Sequence, residues 1–137
     1  MIVADTSAII ALINADESVH AQMVGLYERT SDEWVLPAAI LPEVDYLLLK
    51  RIGEPTQLAF LRDLAEARFH IEWGDTRDLL RARELCEKNR ALRMGLVDAL
   101  VIAAAERLGA RAVATLDTRH FAAVKIRGAP QLYPRDL

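Results

Sequence analysis

The sequence predicts an α/β fold in which a central, mostly parallel sheet of four to five strands packs between helices. Short apolar segments alternate along the chain with longer segments of helical periodicity, which is the pattern of βα units. Most of the strand candidates are nearly continuous apolar runs, as expected for strands covered on both faces. With 137 residues, of which 53% are hydrophobic, the chain suits one domain with a sizeable core, and we expect residues 1–137 to form it.

Four segments are predicted as strands, and two shorter segments near the end of the chain are weaker candidates. The first and second are apolar runs that end at Asp5 and Pro37, the third alternates between apolar and polar side chains, and the fourth is again apolar. The four strong candidates, in chain order, are residues 2–4, 33–36, 69–73 and 112–115. The two weaker ones are residues 125–126 and 131–133.

Six segments carry apolar residues at helical spacing. Thr6 and Ser7 can cap the first of these helices, Pro42 fits the first turn of the third, and Asp75 begins the fifth. Gly109 ends the sixth. The six predicted helices are residues 8–13, 19–30, 38–51, 54–67, 75–89 and 96–108.

Composition excludes some classes of protein and leaves others open. The longest unbroken apolar runs span about seven residues, well short of the ~20 needed to cross a bilayer. The N-terminus lacks the pattern of a signal peptide, and Cys86 is the only cysteine, so we expect a cytoplasmic protein without disulfides. The net charge of −3 argues weakly against nucleic-acid binding. If four of the acids form one metal site, however, the net charge of the other residues is −3 + 4 = +1, so the net charge does not decide this question.

Four acidic residues occupy equivalent positions in the predicted fold. Asp5 and Asp117 directly follow strands, whereas Glu43 and Asp98 lie in the first turns of helices. The carboxyl ends of parallel strands and the amino ends of the helices they feed share one edge of a sheet, so the four can converge. Two carboxylates about 5 Å apart repel by roughly 3 kcal/mol at an effective dielectric of 20, so convergence calls for a cation. Oxygen ligands favour Mg²⁺ or Mn²⁺ over zinc.

The residues alone leave two interpretations open with equal weight. The four acids form a metal site, with Thr6, Ser7 and Thr115 orienting carboxylates or water around it, or they are unrelated helix caps and surface acids. Asp5 in particular is well placed to be an ordinary N-cap.

Four short motifs together resemble those of PIN-domain ribonucleases and, within that group, of the VapC-type toxins of type II toxin–antitoxin (VapBC) systems. The resemblance covers essentially the full length, and the order and spacing of the motifs make it specific. The motifs are Asp5-Thr6-Ser7, Pro42-Glu43, the stretch 95–103 that contains Asp98, and the stretch 114–121 that contains Asp117.

The resemblance implies a three-layer α/β/α fold and Mg²⁺- or Mn²⁺-dependent endonucleolytic cleavage of RNA by metal-activated water, leaving 5′-phosphate and 3′-hydroxyl ends. It also implies a homodimer and inhibition by a VapB-type antitoxin. Asp5 and Asp98 match the main metal ligands, Glu43 and Asp117 complete the acidic quartet, and Thr6, Ser7 and Thr115 match its polar surroundings.

Several other residues are assigned structural roles. Asp45 lies about 200° around the helix from Glu43, so the two do not face one site, and Asp75 and Asp78 are expected to cap a helix. His120 is interpreted as a loop histidine above a packed Phe121, with RNA contact or proton transfer as the open alternative. The basic residues between 77 and 93 suit either phosphate binding or solvated helix charges. The leucine-rich stretches 47–49 and 58–64 suit either core packing or contact with a second subunit or an antitoxin helix.

Two other functions remain open from the sequence. One is a catalytically silent PIN-fold module that binds RNA or a partner, which the intact quartet disfavours. The other is a receiver-type signalling domain, which would require a lysine after its last strand, where none occurs. No pattern of aromatic and basic residues indicates which RNA is recognised.

Overall fold

The structure, a computed structural model, describes residues 1–137 and contains a five-stranded, entirely parallel sheet. The strands lie in the order β3-β2-β1-β4-β5. Five of the six predicted strand segments are therefore confirmed, including the weaker candidate at 131–133. The strands are β1 Ile2–Ala4, β2 Trp34–Pro37, β3 His70–Glu72, β4 Ala112–Ala114 and β5 Gln131–Tyr133.

The weak strand candidate Lys125-Ile126 was wrong. These residues follow a short helix and precede a turn at Gly128, which has φ +84°. Ile126 is buried in the core without pairing to a neighbouring strand, so its apolar character reflects packing alone.

The predicted helices are all present, with differences at their ends. The third helix begins as a 3₁₀ turn over Ala38–Ile40 and becomes an α-helix at Leu41, with Pro42 in its first turn. A seventh helix after Asp117 was not predicted. The α-helices are α1 Thr6–Ile13, α2 His20–Arg29, α3 Leu41–Arg51, α4 Glu54–Ala65, α5 Thr76–Lys88, α6 Leu96–Leu108 and α7 Thr118–Ala123.

The order of the strands determines where the helices lie. The chain moves from β1 outward to β2 and β3, then returns across the sheet to β4 on the other side of β1. Because such crossovers are right-handed, this reversal places α1–α4 on one face of the sheet and α5 and α6 on the other. The result is the predicted three-layer α/β/α arrangement, and the crevice between β1 and β4 is its topological switch point.

The core surrounds β1, whose three residues are fully buried. Val3 is paired with Val35 of β2 on one side and with Val113 of β4 on the other. Phe60 of α4 and Phe121 of α7 are among the largest side chains buried around the sheet. None of the helices combines the length and apolar character required to cross a membrane.

Candidate functional site

A cavity of about 260 Å³ lies at the carboxyl edge of the sheet, beside the crevice between β1 and β4. All four predicted acids line it, although they are far apart in sequence. Asp5 caps α1, Asp117 caps α7, and Glu43 and Asp98 lie in the first turns of α3 and α6. Two of the three predicted hydroxyl residues, Thr6 and Ser7, also line this cavity.

Asp5 is the most deeply buried of the four acids, with 4% of its surface exposed. Its carboxylate accepts hydrogen bonds from Ser7 Oγ at 2.7 Å and from the Ala8 backbone N–H at 3.0 Å. Burial raises the pKa of Asp5 from its ordinary value of 3.8 to about 6, even though these hydrogen bonds act in the opposite direction. Asp5 is therefore both a helix cap and a desolvated acid in the cavity, so the two interpretations of this residue do not exclude each other.

Thr115 and Ser7 tie the ends of β1 and β4 together. The buried Thr115 hydroxyl donates to Asp5 and accepts from the Asp117 N–H at 2.9 Å. Ser7 Oγ donates to Asp5 and accepts from the Leu116 N–H at 2.9 Å. Both hydroxyls therefore fix the orientation of Asp5 and of the loop that carries Asp117.

Thr6 differs from the other two hydroxyl residues. It is the first residue of α1 and not its cap, because Asp5 occupies the capping position. Its Oγ1 is buried and has no hydrogen-bond partner within the protein, although the residue lines the cavity. Thr6 therefore makes no hydrogen bond that orients one of the carboxylates.

Asp98, Asp117 and His120 form the tightest group in the cavity region, with one ligand atom of each within 4.8 Å of the others. Burial, followed by the charge of Asp117, raises the pKa of Asp98. The hydrogen bond with Asp117 is the main cause of a raised pKa at His120. Asp5 and Glu43 line the same cavity but lie outside this tight group.

His120 is the residue that the sequence interpretation placed incorrectly. It lies in α7 and not in a loop, because Asp117 caps this helix by accepting the His120 backbone N–H at 3.1 Å. The ring turns back toward the cap, so that Nδ1 lies 2.8 Å from Asp117 Oδ2. The spacing of Asp117 and His120, an N-cap and its third following residue, is the sequence signal that could have indicated this contact. Phe121 is buried as expected.

Asp45, Asp75 and Asp78 behave as predicted, whereas Glu17, which was not singled out, also lines the cavity. Asp45 accepts a hydrogen bond from Gln57 Nε2 at 2.7 Å and does not line the cavity. Asp75 and Asp78 form a capping box at the start of α5. Asp78 has a further role that was not predicted, because Arg107 of α6 binds both Asp78 and Glu72 at 2.9 Å.

The basic segment between residues 77 and 93 is largely neutralised on α5. Arg77 pairs with Asp75, Arg81 with Glu84 and Glu106, and Arg83 with Glu87. Arg77 and Arg83 are exposed, as expected for solvated helix charges, whereas Arg81 is largely buried in its ion pair with Glu106 of α6 and fits neither interpretation.

The cavity offers donors that suit a divalent cation. Carboxylate oxygens dominate, and Nδ1 of His120, a residue that does not itself line the cavity, lies 2.8 Å from Asp117 and 3.3 Å from Asp98. The raised pKa values indicate that the protein alone does not fully compensate the buried charge of Asp5 or the partly buried charge of Asp98. Such a set of hard ligands fits Mg²⁺ or Mn²⁺.

Comparisons with known proteins agree with this architecture. A family model described as PIN domain matches residues 2–126. Ribonuclease VapC26 of Mycobacterium tuberculosis is 32% identical over 121 residues, which cover 88% of this chain and 90% of the relative. The crystal structure of VapC20 of M. tuberculosis, described as a toxin that cleaves the sarcin–ricin loop, superposes with a TM-score of 0.81 at 23% identity and covers 90% of this chain and 95% of that chain. VapBC2 of Rickettsia felis, solved with a fragment of promoter DNA, gives a TM-score of 0.71 at 18% identity over 96% of this chain and 97% of that chain.

Proposed function

The chain belongs to the PIN domain family and, within it, to the VapC-type ribonucleases, and from this premise we propose its function. We propose that it is an endoribonuclease that depends on Mg²⁺ or Mn²⁺ and acts as the toxin of a toxin–antitoxin pair. We propose further that residues 1–137 are one PIN domain, since β5 completes the sheet just beyond the matched residues. One observation carries the proposal. The four predicted carboxylates, which come from four separate elements, line one cavity at the topological switch point of the sheet.

Each acid has a proposed role in holding the cation. Asp5 and Asp98, which match the main metal ligands of the family motifs, are the main ligands; Asp5 is buried in the cavity and Asp98 is partly buried. Glu43 and Asp117, which also line the cavity, complete the set. The cation, when bound, supplies charge neutralisation for the phosphate and lowers the pKa of a water molecule.

The protein supplies orientation and charge around this site. Thr115 and Ser7 hold the Asp5 carboxylate in one orientation through the hydrogen bonds described above. Arg51, at the end of α3, also lines the cavity and provides a cationic group that can bind an RNA phosphate. The cavity is open to solvent on the protein surface, which suits a single-stranded or loop segment of RNA.

The proposed activity can be tested by cleavage of a cellular RNA pool with antitoxin-free protein in Mg²⁺, in Mn²⁺ and in chelator, with the cut ends mapped by sequencing. We expect discrete cuts that require metal and are lost in Asp98→Asn. Asp45→Asn is the matched control, because this carboxylate lies on α3 but outside the cavity. Absence of cutting by folded, metal-binding protein would contradict the proposal and favour a catalytically silent binding module.

We propose that a VapB-type antitoxin binds the hairpin formed by α3 and α4. Large apolar side chains on this hairpin are about half exposed: Tyr46, Leu49, Leu58 and Leu61. An amphipathic helix can bury such residues in a groove, and Arg51 at the end of α3 connects this surface to the acidic cavity. The partner should co-purify with the wild-type chain and with a Leu137→Lys control, but not with Leu49→Lys or Leu58→Lys. Undiminished co-purification with both hairpin variants would contradict this surface.

We also propose a homodimer, supported by a second exposed apolar region. Trp73, Leu79 and Leu80 lie after β3 and on α5, and each is more than half exposed. Trp73 and Leu79 border a cavity of about 380 Å³ that Leu100 of α6 also lines. Sedimentation velocity should give a dimer for the wild-type chain and a monomer for Trp73→Glu. A dimer that persists in both Trp73→Glu and Leu80→Glu would contradict this interface.

A further inference from the structure

Both ring nitrogens of His120 have defined neighbours at the edge of the acidic cavity. Nε2 lies 3.1 Å from the backbone carbonyl oxygen of Leu92. Nδ1 lies 2.8 Å from Asp117 Oδ2 and 3.3 Å from Asp98 Oδ2. The ring is held in this position from two sides, because the His120 N–H also bonds to the Asp117 cap.

The Leu92 carbonyl determines which nitrogen keeps its hydrogen when a metal ion binds. A carbonyl oxygen only accepts hydrogen bonds, so Nε2 donates to it and carries hydrogen. The carboxylates of Asp98 and Asp117 also only accept, so in the metal-free protein Nδ1 carries hydrogen as well and donates to Asp117. A divalent cation that displaces the Nδ1 proton would meet a nitrogen lone pair and one oxygen of each carboxylate, all within 4.8 Å of one another.

A metal-binding histidine in proteins commonly donates its other N–H to a backbone carbonyl or a carboxylate, which fixes its tautomer. The contact between Nε2 and Leu92 has this form. The 3₁₀ turn over Arg90–Leu92 places the carbonyl beside α7, so the anchor comes from a separate segment of the chain.

We propose that His120 Nδ1 is a direct ligand of the divalent cation that Asp98 and Asp117 hold, and that this nitrogen makes the site prefer Mn²⁺ to Mg²⁺. The inference rests on the proposed function and adds a fifth side chain to its four acids. Mg²⁺ is bound by oxygen ligands, whereas first-row transition ions also accept imidazole. Mn²⁺ is the transition ion in this series that suits a mostly carboxylate site.

Electron spin echo envelope modulation of the Mn²⁺-loaded, tag-free protein tests this inference directly. A coordinated imidazole nitrogen modulates the Mn²⁺ echo, and ¹⁵N-histidine labelling changes the pattern. The chain has three histidines, so the signal can be assigned with two variants. His120→Gln should abolish the modulation, and His70→Gln should retain it, because His70 pairs with Glu33 at the opposite edge of the sheet.

Metal titration supplies a second measurement. Loss of one ligand in His120→Gln should weaken Mn²⁺ binding by roughly 10-fold or more and Mg²⁺ binding by less than about 3-fold. A merely positional role of the His120 ion pair would weaken the binding of both ions equally and would give no nitrogen modulation in the wild-type protein.

The possible failures are distinguishable. Mn²⁺ that binds the wild-type protein without nitrogen modulation overturns the role of His120 but leaves the proposed acidic site intact. Mn²⁺ binding that is absent, or unaffected by Asp98→Asn, overturns both the role of His120 and the proposed metal site. The labelling experiment on wild-type protein requires no variant, so a His120 variant that fails to fold does not obscure the result.

Discussion

Replacing Asp5 with asparagine is expected to stabilise the metal-free protein at neutral pH. The carboxylate is almost completely buried, and burial raises its pKa to about 6 from the ordinary 3.8. At 1.36 kcal/mol per pKa unit, this difference corresponds to about 3 kcal/mol of unfavourable free energy for the charged form in the folded state. Asparagine removes that charge, keeps an oxygen for Ser7 and the Ala8 N–H, and can donate to the Thr115 hydroxyl.

The sign of the pH dependence follows from the raised pKa. The unfavourable contribution of Asp5 is fully present above pH 6, decreases as the pH falls through 6, and disappears below the ordinary value of 3.8. Linkage gives a penalty of about 3 kcal/mol at pH 7 and roughly half of that at pH 5. The advantage of Asp5→Asn in the free energy of unfolding should therefore be largest at pH 7 to 8 and should shrink toward pH 5.

Urea denaturation in chelator, at several pH values between 5 and 8, measures this difference. Asp45→Asn is the control for removing one negative charge, because its carboxylate lies outside the cavity. Saturating Mn²⁺ should reverse the order of stability, since an ion that binds only the folded wild-type protein stabilises it. The reasoning is refuted if Asp5→Asn is less stable than the wild-type protein at pH 8 in chelator, or if the difference does not change with pH.

Three further substitutions test other parts of the structure. Arg107→Met should lower the free energy of unfolding by about 3–5 kcal/mol in urea denaturation, because the substitution leaves the largely buried carboxylates of Asp78 and Glu72 without a positive charge. A loss below about 1 kcal/mol would contradict the importance of these ion pairs. Thr115→Val should weaken Mn²⁺ binding by about 10-fold or more in calorimetric titration, because it removes the hydroxyl that orients Asp5; unchanged affinity would refute that role. Leu58 is about half exposed on α4, so Leu58→Lys should change the free energy of unfolding by less than about 0.5 kcal/mol. The same substitution should reduce binding of the proposed antitoxin in a surface-immobilisation assay. Loss of folding would instead place this residue in the core.

The sequence was sufficient to place the four acids at one edge because strand and helix positions obey simple rules. Asp5 follows an apolar run and Asp117 follows another, so the parallel arrangement alone brings their side chains to the same edge. Glu43 could be located because Pro42 restricts the start of α3. These inferences depend only on local patterns and on the common direction of the strands.

Contacts between distant segments could not be predicted in the same way. Arg107 binds Asp78 and Glu72 across 29 and 35 residues, and nothing local distinguishes it from a solvated arginine. His120 was misplaced because α7 has only six residues and its apolar content is small. Thr6 is adjacent to Ser7 in sequence and has the same hydroxyl group, but in the fold that hydroxyl has no hydrogen-bond partner.

The hydrogen bond from Thr115 to Asp5 joins residues 110 positions apart. During synthesis the ribosome releases the N-terminal strand first, and the segment that completes the acidic cavity only near the end. At about 5–20 residues per second, that interval lasts roughly 5 to 20 seconds. A nascent or truncated chain that stops before β4 holds Asp5 without the strand and hydroxyl that orient it. The acidic cavity therefore cannot form until translation of the chain is nearly complete, which leaves an interval in which a partner can bind the emerging chain before the proposed nuclease site exists.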